Sequence, residues 1–213
     1  MEIDLIIWDC DGTLTTVTSS WQWIHERLGT WESGKQHLAD FLEGKISYEE
    51  FAFRDASEWK GLPEAELVNI LQKIPLRNGC EIALTWFQDL KIMQTLVSSG
   101  LSHLIDYIAT LFPVFAHKVA NELEIIDGKV DGRVKIRVPW GGKGLVGEKI
   151  CKRFGVKPER ALAVGDSTSD IELFRLCKYS IAINGPEELR SVATWSVASL
   201  TAIPALLEAE FNQ

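Results

Sequence analysis

Two aspartates one residue apart, Asp9 and Asp11, stand at the end of the first apolar run of this 213-residue chain, followed by Gly12 and Thr13. Residues 3–8 are short, β-branched and aromatic, and read as a buried strand closed by acid and glycine. Paired carboxylates at a buried strand tip are costly unless something binds them. Alternation along an extended strand predicts Asp9 and Asp11 on one side, with Cys10 pointing away. A hard cation such as Mg²⁺ is their natural partner, because it takes carboxylate oxygens, a backbone carbonyl and water. Gly12 permits a tight turn, and Thr13 offers a hydroxyl and an N–H.

Three further places carry chemistry. Ser98 and Ser99, with Gly100, follow an apolar stretch over 91–97 and stand before a helical pattern, so they suit either an anion site or a helix cap. Lys143 lies between Gly142 and Gly144 at a helix start. A cation is slightly unfavourable there, so an anionic partner would explain it, a solvated lysine being the plain alternative. Asp166 and Asp170 follow the very apolar residues 161–164, again acids at the end of a strand, with an N-cap aspartate as the alternative reading.

These groups need elements to hold them. Residues 15–75 lack strand-like alternation and read as helices: one over 21–28 after Ser19-Ser20 and before Gly29, one opened by the capping-box spacing of Ser47 to Glu50, and one starting near Pro63. Trp21, Trp23, Trp31 and Trp59 are expected to form the core of this helical unit, a substrate-facing role being the alternative. From Asn78 onward helices and strands alternate: helices over 81–90, 101–111 and Lys143–Phe154, and strands over 91–97, 114–117, 161–164 and Tyr179–Ile183. Closing elements follow near Trp195 and over 200–209. The segment from Leu123 holds Asp127-Gly128 and Asp131-Gly132, and Asp-Gly between alternating apolar residues signals a hairpin. The order strand, helical insert, then alternating helix and strand predicts an α/β fold: a three-layer, Rossmann-like parallel sheet with a small helical cap inserted after the first strand. The core would span 1–14 and 76–213 and the cap 15–75.

Composition narrows the class. The chain is 46% hydrophobic and 24% charged, as ordinary globular proteins are. A net charge of −8 without a basic block argues against nucleic acid or a membrane surface as partner. It leaves room for a small phosphorylated substrate, because a bound cation reverses the local field. The four cysteines are widely spaced and form no metal-binding pair, which together with the lack of a leader-like start or a bilayer-length apolar run points to a cytoplasmic protein, monomeric or homodimeric.

Asp9-Cys10-Asp11-Gly12-Thr13 at a first strand tip resembles the first motif of the haloacid dehalogenase-like superfamily. The order acid pair, serine, lysine, acid pair is similar to that superfamily's four motifs over nearly the whole chain. The helical insert, the Asp-Gly hairpin ahead of the lysine and Gly142-Lys143-Gly144 most resemble its phosphoserine phosphatase-like branch. The resemblance implies a Mg²⁺-dependent phosphomonoesterase working through an aspartyl-phosphate. Asp9 would be the nucleophile and Asp11 the general acid/base, with the carbonyl of Asp11 on the cation. Thr13, Ser98, Ser99 and Lys143 would hold the phosphoryl group, and Asp166 would join Asp9 on the cation while Asp170 orients its water. A phosphomutase or a non-catalytic phosphate-binding protein is an alternative; a receiver-type signalling module fits poorly, having neither the insert nor the second acidic motif.

The cap departs from that branch. Phosphoserine phosphatases hold their substrate's amino group with a cap glutamate and its carboxylate with a cap arginine. Here the stretch after Asp11 runs through Thr18 with no acid before Glu26, and alignment through Tyr48-Glu49-Glu50 sets Asp55 at the arginine position. Arg54 is adjacent, but one residue along a helix turns the side chain by about 100°. The expectation is a phosphate ester lacking the α-carboxylate, with hydroxyl groups for Thr18 and Ser19 to bind, and true phosphoserine phosphatase activity through Arg54 is the alternative.

Overall fold

The computed structural model describes residues 2–211. In chain order its elements are β1 (Leu5–Trp8), α1 (Ser20–Leu28), α2 (Trp31–Leu42), α3 (Tyr48–Glu58), α4 (Glu64–Leu71), α5 (Cys80–Asp89), β2 (Met93–Leu101), α6 (Ser102–Leu111), β3 (Phe115–Ile126) and β4 (Lys129–Lys135). There follow α7 (Lys143–Phe154), β5 (Ala161–Gly165), α8 (Ile171–Leu176), β6 (Tyr179–Ile183), α9 (Glu187–Arg190), β7 (Trp195–Val197) and α10 (Ile203–Phe211).

One sheet runs through the molecule in the order β4-β3-β2-β1-β5-β6-β7. All its pairs are parallel except β3 with β4. Every residue of β1 is buried, because both faces of the sheet are covered. Ile6 and Trp8 pack into one apolar cluster with Leu84 and Phe87 of α5, whereas Leu5 and Ile7 pack into the other with Val146 and Ile150 of α7. In β5 the same alternation sends Leu162 and Val164 one way and Ala161 and Ala163 the other. The period of two thus builds the three layers. Trp8 hides its indole N–H by donating to Gln94 Oε1 across the β1–β2 pair (3.0 Å), and Gln94 in turn donates to the Leu84 carbonyl (2.9 Å). Strand order reverses at β1, whose neighbours are β2 and β5. Such a switch opens a crevice at the C-terminal ends of the strands, where ligands of open α/β sheets bind.

The chain between β1 and α5 supplies α1 to α4. Its two ends lie side by side: Thr15 bridges Leu76, the Thr16 N–H donates to the Pro75 carbonyl (3.0 Å) and the Arg77 N–H to that of Leu14 (2.8 Å). Ser19 caps α1 by accepting from the Gln22 N–H (3.2 Å), and Gly29 ends it in the left-handed region. Ser47 caps α3 through the Glu50 N–H (3.2 Å). The capping box is left half formed, since the Glu50 carboxylate turns to the Arg54 guanidinium instead (2.8 Å).

The structure departs from the sequence-based expectation in three elements. Helix α2 was not anticipated, because Gly34 inside it lowers helix propensity. Yet a Cβ at that position would come within 3.0 Å of three atoms of the His25 ring, so glycine is what lets α2 lie against α1. The short strand expected over 114–117 is the first part of a twelve-residue strand, β3, which continues into the hairpin. That hairpin turns at Asp127-Gly128, both in the left-handed region, while Asp131-Gly132 lies within β4. Finally, β2 runs on to Leu101, so Ser98 is a strand residue and the residue capping α6 is Leu101.

Of the tryptophans expected in the helical core, Trp21 and Trp59 are buried with ring centroids 5.4 Å apart. Trp23 is partly buried and donates its indole N–H to the Ile70 carbonyl (3.0 Å). Trp31, with Trp21, lines a cavity above the strand tips.

Candidate active site

The site is built on the turn that follows β1. Asp9 extends the sheet by one residue, its N–H donating to the Val164 carbonyl (2.9 Å), and this fixes where its carboxylate stands. The chain then folds over the Cys10 carbonyl, which accepts from Thr13 and Leu14 (3.1 and 2.9 Å). Gly12 has φ +83°, and a Cβ on it would overlap the Asp166 carboxylate, so only glycine lets the acid of β5 approach this turn. From outside, Arg77 Nε donates to the carbonyls of Gly12 and Thr13 (both 3.1 Å).

Lys143, the first residue of α7, is buried, and its ammonium donates to Asp9 Oδ1 and to Asp170 Oδ1 (2.6 Å). Burial alone would lower its pKa, but the carboxylates of Asp170 and Asp9 outweigh that and hold it above the ordinary lysine value. Asp170 is fixed on its other side, where Oδ2 accepts from the N–H groups of Asp166 and Ser167 (3.1 Å each). The Thr13 hydroxyl lies 3.0 Å from Asp9 Oδ2 and 3.1 Å from Asp166 Oδ1, bridging the two acids.

Carboxylate oxygens of Asp9, Asp166 and Asp170 all lie within 4.8 Å of one another. Three acids there face the single cation of Lys143. Burial, aided by the neighbouring Asp170, pushes Asp166 up to about 6. Burial also raises Asp9 well above the ordinary aspartate value, with Lys143 opposing and Asp170 and Asp166 adding to the rise. An oxygen-only donor set carrying excess negative charge fits a hard divalent cation.

Asp11 is kept apart from this cluster. Its Oδ2 accepts from the Ser20 N–H (2.8 Å) and the Ser20 hydroxyl (2.6 Å), whereas Oδ1 is buried with no partner. Burial raises its pKa, against the lowering effect of Ser20. With Oδ2 already taking two donors, a proton on Asp11 belongs on Oδ1.

Asp9, Asp11, Ser98, Ser99, Lys143, Thr18 and Asp55 share one cavity of about 250 Å³. Ser98 Oγ accepts from the Gly100 N–H (2.9 Å), and the Ser99 hydroxyl is buried without a partner. Thr13, Asp166 and Asp170 stand behind its wall through the contacts above. Arg54 does not reach it: 38% exposed, it pairs with Glu50 and Asp40. Asp55 is 2% exposed, and its Oδ1 faces His37 Nδ1 at 2.9 Å and His25 Nε2 at 3.3 Å.

Three residues that hold the site together carry no mark in the sequence. Ser20 stands in the sequence only as part of a helix start, and its bond to Asp11 has no signature in spacing. Arg77 grips the turn after β1 from the far end of the helical segment. Buried Asn121 on β3 donates to the Ser99 carbonyl (2.8 Å) and accepts from the N–H groups of Arg137 and Val138 (2.8 and 2.9 Å). It thereby ties the end of β2 to the segment leading to Lys143, and nothing in the sequence marks it.

Acids on the tips of β1 and β5 at the point where strand order reverses, with a buried lysine opening α7, the helix that leads into β5, define an α/β protein equipped to hold a cation and an anionic group together. The description of haloacid dehalogenase-like hydrolases matches residues 3–177, and the chain belongs to that family. It is 28% identical to a phosphoserine phosphatase of Archaeoglobus fulgidus over 98% of its own length, spanning 62% of that relative. It is also 28% identical to a phosphoserine phosphatase of Methanocaldococcus jannaschii, over 84% of each chain. A solved phospho-aspartyl intermediate analogue of phosphoserine phosphatase superposes with a TM-score of 0.82 at 26% identity, covering 97% of this chain and 99% of that one. Among the described residues no helix is long and apolar enough to cross a membrane.

Proposed function

We propose that this chain is a Mg²⁺-dependent phosphomonoesterase that hydrolyses a small phosphorylated metabolite through an aspartyl-phosphate on Asp9. The observation that carries the reading is the pair of differently treated acids in one cavity: Asp9 held by Lys143 beside two further carboxylates, and Asp11 alone with an unpartnered oxygen. Asp9, Asp166 and Asp170 would hold the cation, which when bound neutralises the excess charge of the acids and of the phosphoryl oxygens.

A carboxylate oxygen of Asp9 attacks phosphorus, the bond from phosphorus to the ester oxygen breaks, and Asp11 gives the proton on Oδ1 to the departing alkoxide. Asp11, now ionised, takes a proton from the water that attacks the acyl-phosphate; the bond from phosphorus to Asp9 breaks and inorganic phosphate leaves. Lys143 stabilises the phosphoryl charge, and Asp170 positions Lys143. Ser99, whose hydroxyl is free, and Ser98 supply hydrogen bonds to the phosphoryl oxygens, while Thr13 orders Asp9 and Asp166. Residues 15–75 act in this reading as the cap over the site, and Thr18 and Asp55 face the part of the substrate beyond the phosphate.

Phosphoserine is the second reading, favoured by the activity named for the relatives. The position of Arg54, outside the cavity and paired with other acids, speaks for a different ester. A cytoplasmic location belongs to the same proposal, supported by four unpaired cysteines; so does a monomer or homodimer, since one chain carries the whole constellation.

The test is phosphate release from p-nitrophenyl phosphate and small phosphate esters, with Mg²⁺ and with chelator, beside acid-quench mass spectrometry for an adduct on Asp9. Asp9→Asn should lose roughly a thousandfold or more in kcat/KM and form no adduct, because the nucleophile and one cation ligand go together. A folded Asp9→Asn protein within about tenfold of wild type would overturn the assignment.

A further inference from the structure

The walls of the cavity are aromatic. Trp21, Trp31, Tyr48, Phe51 and Trp140 line it, and apart from Asp9, Asp11 and Lys143 the only charged residue doing so is Asp55. Lys143 is already committed to Asp9 and Asp170, so no lining cation is free to meet the rest of a substrate. Two of the rings have their polar edges tied off. Trp21 Nε1 and the Tyr48 hydroxyl both donate to the Ser99 carbonyl (3.2 Å each), and Tyr48 also accepts from Asn121 (3.2 Å). Trp21 stacks at a tilt on Trp59, Phe51 on Phe41, and Trp140 meets Phe41 edge-on. Trp21 and Tyr48 are thus held in place with their donors committed to the Ser99 carbonyl, and Phe51 has no donor to offer.

Asp55 completes the arrangement. His37 and His25 both approach its Oδ1, while among the described residues no hydrogen bond reaches Oδ2. A carboxylate with one free oxygen, set among fixed aromatic rings, is the chemistry that recognises an organic cation: attraction to the ring faces together with an opposite charge. An anionic tail would meet repulsion from the same group.

Building on the phosphomonoesterase reading, we propose that the cavity selects phosphate esters whose alcohol carries an ammonium or N-methylated ammonium group, with the cation seated between the aromatic side chains and Asp55. Polyol and sugar phosphates would meet the side chains of Thr18, Ser19 and Gln22, which also line the cavity, but carry no positive charge for Asp55 to attract, and phosphoserine would bring its carboxylate towards Asp55.

The test compares kcat/KM for phosphoethanolamine and phosphocholine with that for glycerol 3-phosphate, phosphoserine and p-nitrophenyl phosphate. The cationic esters should exceed the neutral and acidic alkyl esters by roughly tenfold or more. Asp55→Asn should remove most of that preference, roughly tenfold, and circular dichroism with a wild-type Tm shows that the variant folds. Equal or better turnover of glycerol 3-phosphate or phosphoserine overturns the proposal. Calorimetric titration of the Asp9→Asn protein with phosphocholine and with glycerol 3-phosphate reads the cavity without turnover. If no ester is hydrolysed, the phosphatase reading fails, and tighter binding of phosphocholine, weakened by adding Asp55→Asn, still upholds the cavity's selectivity. Equal binding of the two compounds sinks it.

Discussion

Asp9 and Asp11 lie two positions apart, yet their surroundings push them to different tasks. Lys143 donates to Asp9, and Ser20 donates twice to a single oxygen of Asp11. If Asp11 supplies the proton and later removes one, Asp11→Asn should slow the second displacement more than the first when the leaving group is p-nitrophenolate, which hardly needs protonation. A phosphoenzyme should then accumulate and be seen by mass spectrometry after acid quench; equal losses for good and poor leaving groups would contradict the role. Ser20 gives a finer probe. Ser20→Ala removes one of the two donors that stabilise ionised Asp11, so the alkaline limb of the kcat/KM profile for an ester with a poor leaving group should move to higher pH, because the proton that Asp11 donates is kept longer. An unmoved profile would show that Ser20 only shapes the turn.

At the scale of the element, α2 shows how packing overrides propensity. Gly34 costs helix stability in isolation, but the His25 ring occupies the space its side chain would need. That ring cannot easily give way, being bonded to Thr30 through Nδ1 (2.7 Å) and packed on Trp59 with centroids 4.8 Å apart. Gly34→Ala should therefore destabilise by about 1–3 kcal/mol, in spite of the better helix former, as chemical denaturation would measure. Because Trp31, Gly34 and Leu38 of α2 line the cavity, activity towards the preferred ester should fall more than activity towards p-nitrophenyl phosphate. A stabilised variant would mean that the ring moves aside.

Across the whole molecule, the cluster of acids links the cation to stability. Burial and the neighbouring Asp170 push Asp166 up to about 6 from an ordinary 3.8, so between those values the folded state binds more protons than the unfolded chain. Its contribution is fully present below 3.8 and is lost as pH rises through about 6. Asp9, also raised, acts in the same direction. A cation competes with those protons and removes the repulsion. Mg²⁺ should therefore raise Tm clearly at roughly pH 7.5 and much less at roughly pH 5, as scanning calorimetry with and without chelator would show. A Mg²⁺ shift independent of pH would place the cation elsewhere.

Much of the architecture was legible in the chain because it depends on local patterns. The apolar runs of β1 and β5 end in acids, α7 spans the expected Lys143–Phe154, and Asp127-Gly128 turns the hairpin, since strand burial, capping and turn chemistry act over a few residues. The residue types of the acid cluster, of Lys143 and of the serines were readable for the same reason. Helix α2 was not, because its glycine answers to a ring nine residues earlier in another helix. Nor were Ser20, Arg77 and Asn121, whose partners lie across the fold and leave no period or spacing behind. The choice between Arg54 and Asp55 was likewise decided in three dimensions. Adjacent residues on a helix point about 100° apart, and only the packing of α3 against its neighbours determines which side chain faces the cavity.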